Sequence, residues 1–326
     1  MHDVWVEKYR PSKLADVVGQ DEITERLSSY VKSGSLPHLL FAGPAGTGKT
    51  TSAIALAKEL FEDNWRGNFH ELNASDERGL NVVRTKIKEY ARTAPIGEGS
   101  FKIIFLDEAD SLTSEAQAAL RRTMERYTLT CRFILSCNYS SKIIDPIQSR
   151  CAVFRFKAVS SDEMEKYIRK IAKSEKLNVT DQGIKALVYV AGGDLRRATN
   201  AFQVAASITN RIDEEAIYKS TGKASPETVR ELIEQALEGN FTAARSSLDD
   251  LLINYGLSGE DLISQIHRTI YDLPINDRVK IEMIDRLGET EYRLVEGATP
   301  RIQIESLLAF YSIIGAQTNA MKGKEI

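Results

Sequence analysis

The segment Gly43-Pro-Ala-Gly-Thr-Gly-Lys49-Thr50 constrains this chain more than any other. It fits the pattern G-x-x-x-x-G-K-[ST] with both glycines, the lysine and the threonine in place. The apolar run 38–42 before it predicts a short buried strand, and residues 49–60 after it predict a helix. A glycine-rich loop there lets backbone N–H groups converge on an anion at the positive end of the helix dipole. The alternative is a chance match in a glycine-rich turn, which the strand–loop–helix context disfavours.

The loop predicts a nucleoside triphosphate as ligand. We expect Lys49 to reach the β- and γ-phosphates and the Thr50 hydroxyl to hold Mg²⁺. The nucleotide contacts predicted along the loop are Gly43, Pro44, Ala45, Gly46, Thr47, Gly48, Lys49, Thr50 and Thr51.

Two carboxylates follow a second apolar run. Residues 102–106 are typical of a strand buried on both faces, and Asp107 and Glu108 come directly after it. This is the edge of an open α/β sheet where ligands bind. We expect Asp107 to bind Mg²⁺ and Glu108 to polarise an attacking water. A kinase does not need the second carboxylate, so the pair favours hydrolysis; a solvated acidic strand end is the alternative.

Two more candidate residues come near strand ends. Asn138 follows the predicted strand 132–136, where a neutral amide can hold the hydrolytic water and sense the γ-phosphate. Ile143-Ile144-Asp145-Pro146 predicts a short helix with Asp145 as N-cap, and Arg150 lies at its far end, before the strand 152–156. We interpret Arg150 as an arginine finger that acts on the site of a neighbouring subunit. A solvated surface arginine is the alternative.

A fifth motif lies in the helical part of the chain. Gly192-Gly-Asp194-Leu-Arg196 predicts a helix that Asp194 caps. Arg196 falls in its first turn, where a cation opposes the helix dipole. Its expected partner is therefore anionic, and the γ-phosphate of the same subunit is the natural candidate.

Together these motifs resemble the AAA+ ATPases and, among them, the small subunits of the replication factor C clamp-loader family, most closely the archaeal form. The resemblance runs nearly end to end, through Trp5-Val-Glu-Lys-Tyr-Arg-Pro11, Glu71-Leu-Asn-Ala-Ser-Asp76, Asp107-Glu-Ala-Asp110, Ala119-Leu-Arg-Arg-Thr-Met-Glu125, Ser149-Arg-Cys151 and Gly193-Asp-Leu-Arg196. It implies Asn138 as sensor 1, Arg150 as finger and Arg196 as sensor 2. It also implies that Val6 and Val18 line the adenine pocket, although either valine could belong to the core.

Composition sets the cellular context. No run approaches the ~20 apolar residues of a membrane span, no signal peptide is visible, and the three cysteines form neither a disulfide framework nor a zinc pattern. We expect a cytoplasmic protein in an archaeal cell, or a nuclear one in a eukaryote. The net charge of −3 divides into +2 for residues 1–158 and −5 for the remainder. DNA contacts therefore belong to the first part.

Residues 78–92 are the best candidate for a DNA contact. They contain five basic residues and one acidic residue, and Val83, Ile87 and Tyr90 form an apolar stripe at helical spacing. The DNA-binding residues we predict are Arg84, Lys88 and Arg92. They contain no base-reading motif, so contacts to phosphates would be independent of sequence. A solvated basic helix face is the alternative.

Five predicted strands near 38–42, 68–72, 102–106, 132–136 and 152–156 alternate with helices. This pattern predicts a five-stranded parallel sheet with helices on both faces. The resemblance implies that this sheet belongs to an α/β AAA+ P-loop NTPase core. We predict three domains: a nucleotide-binding domain at 1–159, a helical lid at 160–221, and an all-helical oligomerising collar at 222–326.

The combined prediction is a subunit that uses ATP and Mg²⁺ to open a ring-shaped sliding clamp and load it on primer–template DNA. The expected partners are other small subunits, a large subunit, the clamp and DNA, with no membrane. We expect the clamp contact on residues 116–127, where Leu120, Met124 and Tyr127 share a stripe; that stripe could instead be core. Two other functions remain open: another AAA+ DNA motor, and a scaffold that binds ATP without hydrolysing it.

Overall fold

The structure is a computed structural model that describes residues 4–75, 83–97 and 101–322. Contacts divide the chain into two compact units, residues 1–179 with 187–206 and residues 180–186 with 207–326. The sequence-based division into three domains stays a prediction. No helix among the described residues is long and apolar enough to cross a membrane.

The strands are β1 (His38–Ala42), β2 (Phe69–Asn73), β3 (Lys102–Asp107), β4 (Cys131–Cys137), β5 (Cys151–Arg155), β6 (Asn178–Val179) and β7 (Arg211–Ile212). The helices of the first 175 residues are α1 (Trp5–Lys8), α2 (Asp21–Ser33), α3 (Lys49–Phe61), α4 (Trp65–Asn68), α5 (Lys88–Arg92), α6 (Ser114–Arg126), α7 (Asp145–Gln148) and α8 (Ser161–Glu175). The later helices are α9 (Asp181–Ala191), α10 (Leu195–Ile208), α11 (Glu214–Thr221), α12 (Pro226–Leu237), α13 (Phe241–Asp249), α14 (Gly259–Asp272), α15 (Asp277–Val295) and α16 (Pro300–Lys322).

Strands β1 to β5 form a parallel sheet in the order β2-β3-β4-β1-β5. One face packs on a core that includes Phe41, Phe105 and the alanines of α3. The other face packs on a core that includes Leu106, Leu135 and residues of α6. Both faces of the central strands β1, β3 and β4 are therefore buried, which explains their nearly continuous apolar runs. The predicted fold class is confirmed.

The helices of the second unit have a core of their own. Val229, Leu232 and Ile233 of α12 and Leu307, Leu308 and Tyr311 of α16 are fully buried in it. Most of the aliphatic and aromatic side chains of these two helices are thus buried inside the unit. Other apolar side chains of this unit are exposed, namely Ile253, Tyr255, Tyr271, Ile281, Tyr292, Val295, Ile302 and Ile313.

Two local predictions were wrong. Asp145 is the first residue of α7 rather than its cap: Ile144 occupies the N-cap position in an extended conformation, and no side chain caps the helix. The segment before α5 is not a regular helix, because residues 83–87 form a π-helical turn. A π-turn contains more residues than an α-turn, so the predicted four-residue repeat of cations does not continue through it.

Candidate active site

A cleft opens at the carboxyl ends of the strands of the five-stranded sheet and is lined by residues from six parts of the first unit, one of which is Tyr167 of α8. Loops after β1, β3 and β4 contribute, together with α10 and the N-terminal segment around α1. The predicted site residues that line it are Val6, Val18, Ala45, Gly46, Gly48, Lys49, Thr50, Thr51, Asp107, Glu108, Asn138 and Arg196. Residues that were not predicted also line it: Arg10, Pro11, Val17, Ser136, Cys137, Tyr167, Leu195 and Thr199.

The ammonium of Lys49 lies at the centre of the phosphate loop. Its Nζ donates to the carbonyl oxygens of Gly43 at 2.7 Å and Pro44 at 2.8 Å, and to Asn138 Oδ1 at 3.3 Å. Burial lowers the pKa of Lys49, while the nearby charge of Asp107 opposes that shift. A buried ammonium inside a loop of backbone groups is arranged to receive an anion.

Gly46 allows the loop to lie against the beginning of α10. Its φ is +67°, and a Cβ built there would lie 1.7 Å from Asp194 Oδ1. Asp194 caps α10 by accepting from the N–H of Arg197 at 2.9 Å, as predicted. The N–H of Leu195 donates to Gly46 O at 3.1 Å. The helix that carries Arg196 is therefore hydrogen bonded directly to the phosphate loop.

The two carboxylates after β3 have different surroundings. Asp107 Oδ2 accepts from the Thr50 hydroxyl at 2.9 Å, which joins the predicted metal-binding pair. Glu108 is exposed and has φ +51° and ψ +38°. A residue other than glycine in the left-handed region is strained by roughly 1–3 kcal/mol, and such strain clusters at functional sites.

Asn138 is held at the end of β4 by a carboxylate from the β3 side. Asp110 Oδ2 accepts from the backbone N–H groups of Asn138 at 3.3 Å and Tyr139 at 3.2 Å. The Asn138 side chain then lies against Lys49. The side-chain amide of Asn138, at the end of β4, thus contacts Lys49, the residue predicted to bind the γ-phosphate, which follows the neighbouring strand β1.

The apolar end of the cleft is formed by the N-terminal segment. Trp5 docks on α10, where its backbone N–H donates to Gln203 Oε1 at 3.0 Å and its ring packs on that of Phe202, with centroids 5.3 Å apart. Val6 and Val18 are half-buried and line the cleft together with Val17. This end presents an apolar surface suited to a purine, although a role for either valine in binding adenine stays a prediction.

The residues of the cleft suit a magnesium ion that arrives with a triphosphate. No cluster of three or more His, Cys, Asp or Glu side chains that could hold a metal occurs in the part of the chain that the structure describes. Mg²⁺ is typically bound by one or two carboxylates, substrate phosphates and water rather than by an all-protein cage. Thr50 and Asp107 supply such a partial set of oxygen ligands.

Arg150 lies away from this cleft, at the opposite end of the strands, where β5 begins. Cys151 of β5 is paired with His38 at the start of β1, and Arg155 with Ala42 at its end. The guanidinium is held on its own subunit: Nη2 lies 2.6 Å from Glu125 Oε1, and Nη1 donates to Pro146 O at 2.7 Å.

The other predicted surfaces have mixed outcomes. Lys88 and Arg92 are exposed on α5, while the side chain of Arg84 lies outside the described residues.

The predicted clamp stripe on α6 was wrong, because Leu120 and Met124 are fully buried in the core. The helix uses that face to cover the sheet. The next apolar side chain along the chain, Leu129, is 88% exposed in the turn before β4.

Comparison with known proteins agrees with this geometry. Residues 39–159 match the family model for the ATPase family associated with various cellular activities (AAA), and residues 224–310 match that for the replication factor C C-terminal domain. The replication factor C small subunit of Archaeoglobus fulgidus is 58% identical over 312 residues, which are 96% of this chain and 98% of that protein. The chain belongs to the replication factor C small-subunit family.

Other members of the family are nearly as similar. The replication factor C small subunit of Methanocella arvoryzae is 57% identical, with 96% of this chain and 98% of that protein covered. The resemblance stated from the sequence motifs is thereby confirmed. Among solved structures, the RuvB Holliday junction branch migration motor of Thermotoga maritima has a TM-score of 0.55 and 20% identity, over 79% of this chain and 91% of that one. This likeness concerns the fold alone.

Proposed function

We propose that this member of the replication factor C family is a clamp-loader subunit whose ATP site is completed by a neighbouring subunit. ATP binding at each interface draws subunits into an assembly that grips and opens a ring-shaped sliding clamp. Primer–template DNA then enters, ATP is hydrolysed, and the clamp is released on the DNA. The position of Arg150 is the observation that carries this proposal.

The sheet separates Arg150 from the nucleotide cleft of its own subunit. The phosphate loop begins at Gly43, directly after Ala42, the last residue of β1. Arg150 directly precedes Cys151, which is paired with His38, the first residue of β1. Five strand residues at ~3.3 Å each give a separation of about 16 Å. An arginine side chain does not span that distance, so Arg150 serves a nucleotide only on another subunit.

Within one cleft the residues divide the work of hydrolysis. Lys49 and Arg196 bind the γ-phosphate, Asn138 orients the attacking water, and Glu108 accepts its proton. Thr50 and Asp107 hold Mg²⁺, which neutralises charge on the phosphate oxygens when it is bound. The arginine of the neighbour stabilises the charge that develops on the transferred phosphoryl group.

The DNA contact is proposed on α5. Lys88 and Arg92 are exposed there, and Arg84 is proposed as a third contact on sequence grounds. Phosphate contacts of this kind do not depend on base sequence. One such helix in each subunit of a ring would give a track of cations along a DNA backbone.

Two exposed apolar surfaces suit protein partners. Ile281, Tyr292 and Val295 lie on one face of α15 at helical spacing, and all three are exposed. We assign this stripe to contacts between subunits, as expected of a collar. Leu129, in the turn before β4, replaces the buried stripe of α6 as the proposed clamp contact.

Two other functions are less well supported. A branch-migration helicase or an origin-binding ATPase typically adds a winged helix with a basic recognition helix. The described residues from 226 to 322 contain helices and no strand. A scaffold that only binds ATP would not need Glu108 or Arg150.

The three functions predict different ATPase behaviour. We expect the assembled protein to hydrolyse ATP slowly alone and several-fold faster when primed DNA and a sliding clamp are both added. A helicase would respond to DNA without the clamp, and a scaffold would show no turnover in any mixture. Absence of a joint effect of clamp and DNA contradicts the proposal.

A further inference from the structure

The hydroxyl of Ser136 is a buried polar group at the wall of the nucleotide cleft. Ser136 is fully buried, and its Oγ has no hydrogen-bond partner among the residues that the structure describes. The residue nevertheless lines the cleft. An unpaired buried hydroxyl is unfavourable, and a hydrogen-bond partner that enters the cleft with the nucleotide would remove that cost.

The register of the sheet identifies the neighbours of this hydroxyl. Leu106 of β3 is paired with Leu135 of β4, so the next residues, Asp107 and Ser136, lie side by side with their side chains on one face. Phe105 and Ile134, two positions earlier, belong to the core that also contains the alanines of α3. Ser136 therefore faces the same side as Asp107, toward the first turn of α3.

That side of the sheet is where the metal-binding pair lies. The Thr50 hydroxyl donates to Asp107 Oδ2 at 2.9 Å. The ammonium of Lys49 lies among the loop carbonyls and Asn138, at the place proposed for the γ-phosphate. The Ser136 hydroxyl is a neutral group that can both donate and accept a hydrogen bond, and it lies beside the predicted metal ligand Asp107.

We propose that Ser136 is a positioning residue for the metal–triphosphate complex, and that its hydroxyl hydrogen bonds with a water molecule of the bound Mg²⁺. This inference rests on the proposed nucleotide function. Mg²⁺ gives up its water reluctantly and keeps several water ligands in nucleotide sites. Groups that hydrogen bond with metal ligands orient them and typically change metal affinity 10- to 100-fold. One hydroxyl on a water ligand should act at the low end of that range.

Ser52 offers a matched control within the same unit. It lies in α3, is fully buried, and its Oγ also has no partner among the described residues. It is not among the residues that line the cleft. Ser52→Ala and Ser136→Ala therefore each remove one unpaired buried hydroxyl, but only the second removes it from the nucleotide site.

The test compares ATP affinity with and without the metal. We expect Ser136→Ala to weaken binding of a slowly hydrolysed ATP analogue about five- to tenfold in excess Mg²⁺, and to leave affinity unchanged in EDTA. The Mg²⁺ concentration for half-maximal binding should rise by a similar factor. Ser52→Ala should match the parent in both conditions. Without nucleotide, both variants should unfold at the same urea concentration as the parent or at a slightly higher one, because each loses an unsatisfied group.

Ser136→Cys keeps the shape of the side chain, with a slightly larger atom that is a weaker hydrogen-bond donor, so it should behave as the alanine variant and also serves if that variant folds poorly. Equal loss of affinity with and without Mg²⁺ would show that the hydroxyl contacts the nucleotide itself and would overturn the proposal. Parental affinity in both Ser136 variants would also overturn it. Failure of the parent protein to bind ATP would instead refute the proposed function.

Discussion

The residues of the nucleotide cleft come from separate parts of the chain, between Val6 and Thr199. The phosphate loop is one contiguous segment and the Asp107–Glu108 pair is another, so each could be recognised in the sequence. The structure brings both to one cleft with Asn138 and Arg196. Tyr167 and Thr199 line the same cleft but lie outside the motifs, Tyr167 on α8 and Thr199 on α10 three residues beyond Arg196. The ion pair of Arg150 with Glu125 was equally unpredictable, since it joins residues from α6 and the end of α7. Only the packing of these elements shows such neighbours.

The role of Glu108 can be tested at this scale. Glu108→Gln should bind ATP normally and hydrolyse it about 10²-fold more slowly, because an amide cannot accept the proton of the attacking water. Single-turnover hydrolysis and equilibrium ATP binding measure the two effects separately.

Glu62 provides a control for an exposed glutamate with a positive φ. It is exposed and has φ +47°, close to the +51° of Glu108, but it does not line the cleft. Glu62→Gln should therefore hydrolyse ATP at the parental rate. Parental turnover in Glu108→Gln as well would assign activation of the water to another residue.

At the scale of elements, strands were predicted better than helix details. The sheet strands lie within one residue of the predicted positions, since apolar runs of about five residues between turn signals are too short for a typical helix and favour buried strands. The start of α7 and the π-turn before α5 were missed, because both depend on the packing of neighbouring segments. The sequence left the stripe of α6 open between a core and a docking surface, because its apolar spacing suits both equally well, and the structure shows that Leu120 and Met124 belong to the core.

Helix α5 is anchored by one aromatic side chain. Tyr90 stacks on His70 with ring centroids 4.6 Å apart, and Lys102 Nζ lies 4.1 Å from the centre of its ring. These contacts hold one face of α5 against β2 and β3. Lys88 and Arg92 remain exposed.

We expect Lys88→Ala with Arg92→Ala to weaken DNA binding similarly for unrelated sequences. The slope of log affinity against log salt should flatten by roughly one unit for each phosphate that the variant no longer neutralises. ATPase activity without DNA should stay near the parental value. The matched control is Lys170→Ala with Lys173→Ala, which removes two exposed lysines from α8. Equal DNA affinity and salt slope in the parent and the α5 variant would make this surface an ordinary solvated helix face.

The first strand contains a histidine that makes the stability of the first unit depend on pH. Burial lowers the pKa of His38 to about 4, and the charge of Arg132 contributes. Its neutral Nδ1 accepts the N–H of Phe133 at 3.1 Å, a contact that protonation removes. The folded pKa lies below the unfolded one, so the stabilisation is present above about 6.5 and is lost as the pH falls toward 4.

Between pH 8 and pH 5 the parent should lose about 2 kcal/mol of unfolding free energy through His38. In His38→Asn, which keeps an acceptor for the Phe133 N–H, that loss should largely disappear. Urea unfolding followed by tryptophan fluorescence measures it, because the two tryptophans, Trp5 and Trp65, both lie in the first unit. An equal pH dependence in the two proteins would contradict this account.

At the scale of the whole molecule, the two ends of the strands in the sheet carry different candidate site residues. The carboxyl edge of the sheet carries the cleft, and the opposite edge carries Arg150. Under the proposed function, a subunit built in this way has a complete nucleotide site only when another subunit docks on it. The sequence predicted this division through the order of the motifs, whereas the strand pairing supplies the physical separation.

The most direct test of a shared site is to mix two inactive variants. Arg150→Ala should bind ATP normally but lose 10³-fold or more of its turnover, on the scale usual for arginine fingers. Lys49→Ala should lose ATP hydrolysis because it lacks the phosphate-binding ammonium. In mixed assemblies, a cleft with intact Lys49 faces a neighbour with intact Arg150, so ATPase activity should reappear well above that of either variant alone. No recovery, in mixtures shown by pull-down to contain both variants, would contradict the account.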